Sequence, residues 1–318
     1  KKSMKKIYVF VFSIFLFFAQ AQEFNISLNL EKGKSYEIKS TSFNFAKHNV
    51  NGQLAKINLH LLTTLVFNVL HFQDDIYELE GRYVYYQNQI LIMNNFNEFS
   101  SDYTTTPFDL GLKKMLNIPF FVQISKSGKI INIREYEKVT DAILSEFPEE
   151  NREALKQELD EKISENSLKN LLNSTMVFLP KKKVKIGESW IIEDLQPSGL
   201  DDVFEKKYTL DKVDENFYYI SASGTANSTP EKTVVLNGIT FSPHLKFIEN
   251  STFKIHKKTG WINIAQINTK YTGTKKNTEV SLDTDSVLKR EIQDTASVTA
   301  SEKERRIGVN APEMADGQ

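Results

Sequence analysis

The 318-residue chain contains no cysteine. Disulfides, thiolate metal sites, cysteine nucleophiles and lipid attachment through cysteine are excluded together. Charge is balanced, with 40 Lys and Arg against 41 Asp and Glu, so the basic surplus of a general nucleic-acid binder is missing. With 13 glycines and 8 prolines, collagen-like and low-complexity chains are excluded too. Catalytic signatures are equally scarce. None of the five histidines, His48, His60, His71, His244 and His256, stands at a metal-ligand spacing, and no Gly-x-Ser-x-Gly elbow occurs. Gly33-Lys34-Ser35 has Leu28 where a phosphate loop requires its first glycine, and Asp283-Thr284-Asp285 runs into Val287 and Leu288 where a calcium loop needs a ligand and a glycine. The adjacent pairs Asp74–Asp75 and Asp201–Asp202 point apart in an extended chain and read as turn residues. The expected catalytic residues, metal ligands and cofactors are therefore none. A carboxylate pair assembled from distant strands remains open.

Long hydrophobic runs are absent except at the N-terminus. Lys1, Lys2, Lys5 and Lys6 precede an apolar run from Ile7 to Phe18, followed by Ala19-Gln20-Ala21. This is the three-part pattern of a secretory signal peptide, with cleavage expected after Ala21. The run is shorter than the ~20 residues of a membrane span, and no cysteine follows it to form a lipobox. The expected location is periplasmic or secreted, with no transmembrane segment after cleavage. The short Phe-rich leader points to a bacterial cell.

Period-two alternation dominates the next hundred residues. Leu59, Leu61, Leu65, Phe67 and Val69 share one parity, and so do Tyr77, Leu79, Tyr83 and Tyr85, each set reading as a half-buried strand. Ile90 and Ile92 begin a third strand, Phe120, Val122 and Ile124 a fourth, and Ser127-Gly128 turns into Ile131 and Ile133. From 135 to 178 the period becomes helical: Val139, Ala142, Ile143 and Phe147, then Leu155, Leu159 and Ile163, then Leu168, Leu171 and Leu172. Strands return over 190–192, 207–210, 217–222, 239–255 and 261–271. The expected organisation is a signal peptide (1–21), a first β-rich half (22–134), a helical segment (135–178), a second β-rich half (179–274) and a disordered tail (275–318) with a short helix near Val287–Ile292. The fold class is α+β: two mainly antiparallel, half-barrel-like β-rich halves bracketing helices.

Two motifs recur in the same order. Gly33-Lys34-Ser35-Tyr36 corresponds to Gly187-Glu188-Ser189-Trp190, and Phe121 to Gly128 corresponds to Phe253 to Gly260. They are either generic hairpins or traces of an internal duplication. The combination of a leader, Lys34-Ser35-Tyr36, Ile124-Ser125-Lys126-Ser127-Gly128, Leu179-Pro180, Val184-Lys185-Ile186-Gly187-Glu188-Ser189-Trp190 and Lys258-Thr259-Gly260-Trp261 resembles the exported Bacteroidota proteins grouped as domain-of-unknown-function family 6263, over about residues 24–273. The resemblance implies a compartment and a lineage and carries no activity.

The leading functional expectation is an exported, non-enzymatic envelope protein that binds a lipid or other apolar ligand in a sheet concavity. Its candidate ligand-binding residues are Leu59, Leu61, Leu65, Phe67, Val69, Tyr77, Leu79, Tyr83 and Tyr85, aligned on one side if the two strands pair through Gln73-Asp74-Asp75. The alternatives are a structural or assembly partner of other envelope proteins, and a hydrolase with a dispersed site. Nucleic acid is not an expected partner. If the leader is read correctly, intact mass of protein from a periplasmic extract begins at Gln22; a cytosolic chain retaining residues 1–21 contradicts it.

Overall fold

The computed structural model describes residues 22–50, 53–92, 94–176, 179–195, 203–227, 234–236, 239–241, 246–272 and 286–291. The expected signal peptide and most of the expected tail lie outside them. Two five-stranded meanders make up the described fold. The first comprises β2 (Ser35–Val50), β3 (Gln53–Gln73), β4 (Ile76–Ile92), β6 (Phe120–Ser125) and β7 (Ile130–Arg134), with β5 (Asn95–Ser100) also pairing along β4. The second comprises β9 (Ser189–Leu195), β10 (Val203–Val213), β11 (Phe217–Asn227), β14 (Lys246–His256) and β15 (Ile262–Thr272). Between them lie α1 (Pro107–Met115, inside the first meander), α2 (Glu137–Leu144), α3 (Glu149–Lys162) and α4 (Glu165–Met176). Two short strands, β1 (Glu23–Phe24) and β8 (Val184–Lys185), pair with each other, as do β12 (Val234–Leu236) and β13 (Ile239–Phe241).

The meanders share one antiparallel sheet, in the order β7-β6-β4-β3-β2-β16-β15-β14-β11-β10-β9, with β16 (Ser286–Glu291) joining them. The sheet is open, because its path ends at β7 and β9. The strand order within each meander is the same, as a duplication requires. The repeated glycines also match. Gly33 (φ 77) and Gly187 (φ 84) both open a first strand. Gly33 N–H donates to Val69 O and Gly187 N–H to Leu210 O, at 2.9 and 2.7 Å.

Three expectations are corrected. Ser286–Glu291, expected within a disordered tail and as a short helix, is a strand, because partners on both sides outweigh the local helical preference. Ile90 and Ile92 continue β4, and the next strand is β5. The helix α1 lies inside the half expected to be wholly β.

One core spans both meanders. Tyr36 and Phe67 pack against Trp261 with ring centroids 5.0 and 6.3 Å away, and Phe67 continues to Phe120 at 6.2 Å. The extended segment after β1 buries Phe24, Ile26, Leu28 and Leu30 in alternation. Its backbone is held by the two corresponding hairpin turns, Leu28 N–H donating to Lys126 O at 2.9 Å and Asn29 N–H to Thr259 O at 2.8 Å. Gly260 is the close approach in this clamp: φ is +67°, and a Cβ there would sit 2.1 Å from Ser27 O. Gly33 has the same backbone sign but open space around it. Gly260→Ala is therefore expected to cost more than ~3 kcal/mol, through strain plus displaced backbone, and Gly33→Ala only ~1–2 kcal/mol. Chemical denaturation of both variants checks the order; equal costs contradict the clamp.

Candidate functional site

The expected hairpin forms. Gln73 pairs with Ile76 across Asp74 and Asp75, whose φ values of 52° and 60° make a tight turn matching the strand twist. Leu65, Phe67, Val69, Tyr77, Leu79 and Tyr83 all point to the covered side and are buried at 5% exposure or less. They are core, sealed by helices and by Trp261. Tyr85 is corrected: Leu65 pairs with Tyr83 and Thr64 with Tyr85, so Val84 is an extra residue. This bulge reverses the parity of β4, placing Tyr86 in the core and leaving Tyr85 half-buried with its hydroxyl on Gln87 Oε1 at 2.9 Å. Leu59 and Leu61 remain half-buried, opposite Ile90 and Asn88 of β4.

Beyond the bulge the covering is incomplete. A cavity of about 230 Å³ lies between β4 and the helices. Tyr86, Asn88 and Ile90 form its floor, with Phe99 of β5 beside them. Phe108 of α1, Phe147 after α2, and Leu155 and Leu159 of α3 form its roof, and the exposed Lys162 stands at its rim. The gap has a sequence cause. Among the described side chains of the fourteen-residue α3, the apolar ones lining the cavity are Leu155 and Leu159, too narrow a stripe to seal a sheet.

The roof is held by a capping box. The Thr106 hydroxyl caps Asp109 N–H at 3.1 Å, with Pro107 at the first helical position. The Asp109 carboxylate in turn accepts from Ser100 N–H at 3.0 Å, Thr105 Oγ1 at 2.7 Å, and Thr106 N–H and Oγ1 at 3.1 and 2.8 Å. Burial pushes its pKa up, but these hydrogen bonds outweigh burial and hold it below the ordinary carboxylate value. Phe108, between capping residues, is fixed by this arrangement and stacks edge-on with Phe99 at 5.1 Å. The sequence reading missed α1, although Thr106-Pro107-Phe108-Asp109 is a legible helix start.

A tyrosine cluster backs the floor. The Tyr83 and Tyr136 hydroxyls lie 2.9 Å apart, and the Tyr86 ring meets Tyr83 edge-on. Burial raises all three phenols, Tyr83 to about 12, so they are neutral hydroxyls at physiological pH. Tyr86 is fixed through its backbone, its N–H donating to Ser101 Oγ at 3.1 Å and its carbonyl accepting from Ser101 N–H at 2.9 Å.

Charged groups elsewhere on the sheet are engaged with one another. Glu78 binds Arg134 and, at 3.0 Å, Gln123. Lys206 and Glu249 form a buried pair at 2.5 Å, with Ser251 Oγ donating to the same carboxylate at 2.6 Å. His60 lies under Phe43 with centroids 4.1 Å apart. Among the described residues no group of three His, Cys, Asp or Glu could hold a metal ion, and no helix is long and apolar enough to cross a membrane.

A family model for proteins of unknown function, DUF6263, matches residues 74–262. The chain belongs to this family. That stretch contains β4, the helices and the second meander as far as the start of β15. No protein of curated function matches the sequence. Among solved structures, a study of lipid–protein interactions in lipovitellin aligns with a TM-score of 0.52 at 12% identity, over 84% of this chain and 26% of lipovitellin. The chain thus spans about a quarter of that protein, and the likeness is one of fold. An outer membrane channel from Pseudomonas putida F1 (TM-score 0.24, 7% identity, 84% and 97% coverage) and a protein classed as exported from Bacteroides fragilis (0.18, 11%, 85% and 99%) align too loosely to carry an argument.

Asp109 gives a pH-dependent prediction for the roof. A carboxyl with a lowered folded pKa stabilises above its unfolded pKa and loses that contribution as pH falls through the folded value. Asp109→Ala is expected to cost ~1–3 kcal/mol at neutral pH, with a smaller penalty in acid. Urea titrations at neutral and acid pH check this, and a penalty that grows in acid contradicts it.

Proposed function

We propose that the protein is an exported, non-catalytic carrier that holds an apolar or amphipathic ligand in its sheet concavity. The observation that carries this reading is the cavity itself: aromatic and aliphatic walls, a rigid floor, and a rim open to water. Ligand sites are concave, largely apolar and provided with few polar groups. The lipovitellin likeness supports the architecture as one suited to an apolar interior. The N-terminal leader and the family resemblance support export from a Bacteroidota cell. Of the residues first singled out, Leu59 and Leu61 belong to this site as neighbours of its floor. Leu65, Phe67, Val69, Tyr77, Leu79 and Tyr83 act as the wall behind it.

An uncharged apolar probe, N-phenylnaphthylamine, tests the reading. Saturable fluorescence enhancement is expected at micromolar probe, weakened about tenfold or more by Phe108→Asp or Leu155→Asp, with circular dichroism unchanged. No saturable binding at tens of micromolar contradicts it.

A second reading, an envelope assembly protein, is favoured by one feature. Phe43, Phe45 and Phe96 are 36%, 44% and 58% exposed on the outer face, toward the same end of the sheet. On this reading Phe45→Ser with Phe96→Ser abolishes a specific cross-link to an envelope protein while leaving probe binding intact.

A further inference from the structure

The exposed phenylalanines of the outer face belong to one end of the sheet, and the strand register shows what surrounds them. Phe45 pairs with Asn58, Asn58 with Leu91 and Leu91 with Phe96, so the two rings stand in one row across four strands, roughly 14 Å apart at ~4.8 Å per strand. Phe43, one pleat nearer the middle, is stacked on His60 and still partly exposed. The inner face is also uncovered at this end, where Ile92 is 42% exposed. Ile92 shares that face with Ile90, which is part of the cavity floor. An apolar track therefore leads from the end of the sheet into the cavity. Charge at this end has one sign. Residues 41–62 and 87–97 contain Lys47 and Lys56 and no Asp or Glu, and Lys47 stands opposite Lys56 in the register of β2 and β3. Like charges directly opposite each other are unfavourable, and an anionic surface relieves them. Glu98, two residues from Phe96 on the same face, accepts hydrogen bonds from Gln87 and Gln89.

We propose that this end of the sheet docks peripherally on an anionic lipid bilayer. Phe45, Phe96 and Ile92 enter the boundary between headgroups and acyl chains, and the two lysines supply the charge that anionic headgroups attract. Exposed apolar patches mark interaction surfaces, and apolar side chains beside basic ones are the composition of elements that lie in a membrane interface. Each lysine held near an anionic leaflet adds attraction that salt weakens. A bilayer suits the geometry better than a protein partner does. Phe45 and Phe96 lie on one face of the sheet and Ile92 on the other, so a protein must present a slot that receives both faces. A fluid bilayer closes around the end of a sheet without one. In the docked state Ile92 meets the acyl region, and the track to Ile90 gives an apolar molecule a path from the membrane to the cavity that avoids water. That use of the surface rests on the carrier reading; the surface itself rests on exposure and charge.

The test is flotation with vesicles of phosphatidylcholine alone and of phosphatidylcholine mixed with phosphatidylglycerol. The wild-type chain is expected to bind the mixed vesicles about tenfold or more tightly than the neutral ones, and less tightly as salt is raised. Phe45→Ser with Phe96→Ser is expected to weaken binding to both about tenfold or more. Lys47→Gln with Lys56→Gln is expected to remove the preference for phosphatidylglycerol and to leave the weaker binding to neutral vesicles. Circular dichroism and N-phenylnaphthylamine binding in solution stay unchanged in both variants, because neither alters the cavity wall. All three chains share one N-terminus, so the leader does not produce the differences. A wild-type chain that floats with neither vesicle, or a serine variant that floats as well as the wild type, overturns the docking surface. So does a wild type that ignores vesicles but forms a specific protein cross-link lost in the serine variant, which assigns the patch to a protein. Vesicle binding without saturable probe binding overturns the carrier reading and leaves the docking surface standing.

Discussion

An open antiparallel sheet of this size has an apolar face that must be kept from water, and the described architecture follows from how that face is covered. Two meanders of the same strand order curve around one interior. They are tied by Trp261 of the second reaching Tyr36 and Phe67 of the first, and by the N-terminal segment clamped between two hairpin turns. Helices supply the remaining cover. Each has a single apolar stripe, which is enough beside β6 and β7, where Val139, Ile143, Leu168 and Leu172 are buried, and not enough over the far part of β4. Lys206 and Glu249, buried within the sheet, satisfy each other as a pair.

The cavity is the consequence of that shortfall, and its rigidity comes from polar contacts around it rather than within it. Asp109 locks the start of α1 and with it Phe108; Ser101 locks the backbone of Tyr86; Tyr83 and Tyr136 satisfy each other behind the floor. A preorganised pocket of this kind loses little freedom when a ligand enters, which favours affinity from a modest contact area.

Much of this was legible in the residues. Alternating apolar positions located β3, β4 and β6, the change of period at about 135 located the helices, and Asp74-Asp75 located the turn that aligns the two longest strands. The repeat motifs anticipated two meanders of one order. What could not be read were the places where a single extra residue shifts a strand. In Tyr83-Val84-Tyr85-Tyr86 the parity argument selects Tyr85, whereas the bulge at Val84 turns Tyr86 inward, and nothing local announces it. A bulge at Ile131 of β7, where Gln123 pairs with Asn132 and Ile124 with Ile130, likewise buries Ile130 and leaves Ile131 exposed. β16 was hidden for a different reason: its partners, β2 and β15, are distant in sequence, and the segment alone reads as a short helix. The helix α1 was legible in its capping box but overshadowed by the strands around it.

The most direct test of the central claim, that an incompletely covered sheet face holds a ligand, is native mass spectrometry of the protein purified from the envelope of the cell that makes it. A single adduct with the mass of one apolar or amphipathic small molecule is expected, and Leu155→Trp, whose indole fills the cavity, is expected to lack it. Wild-type protein that emerges bare, or carries an adduct that Leu155→Trp retains, contradicts the account.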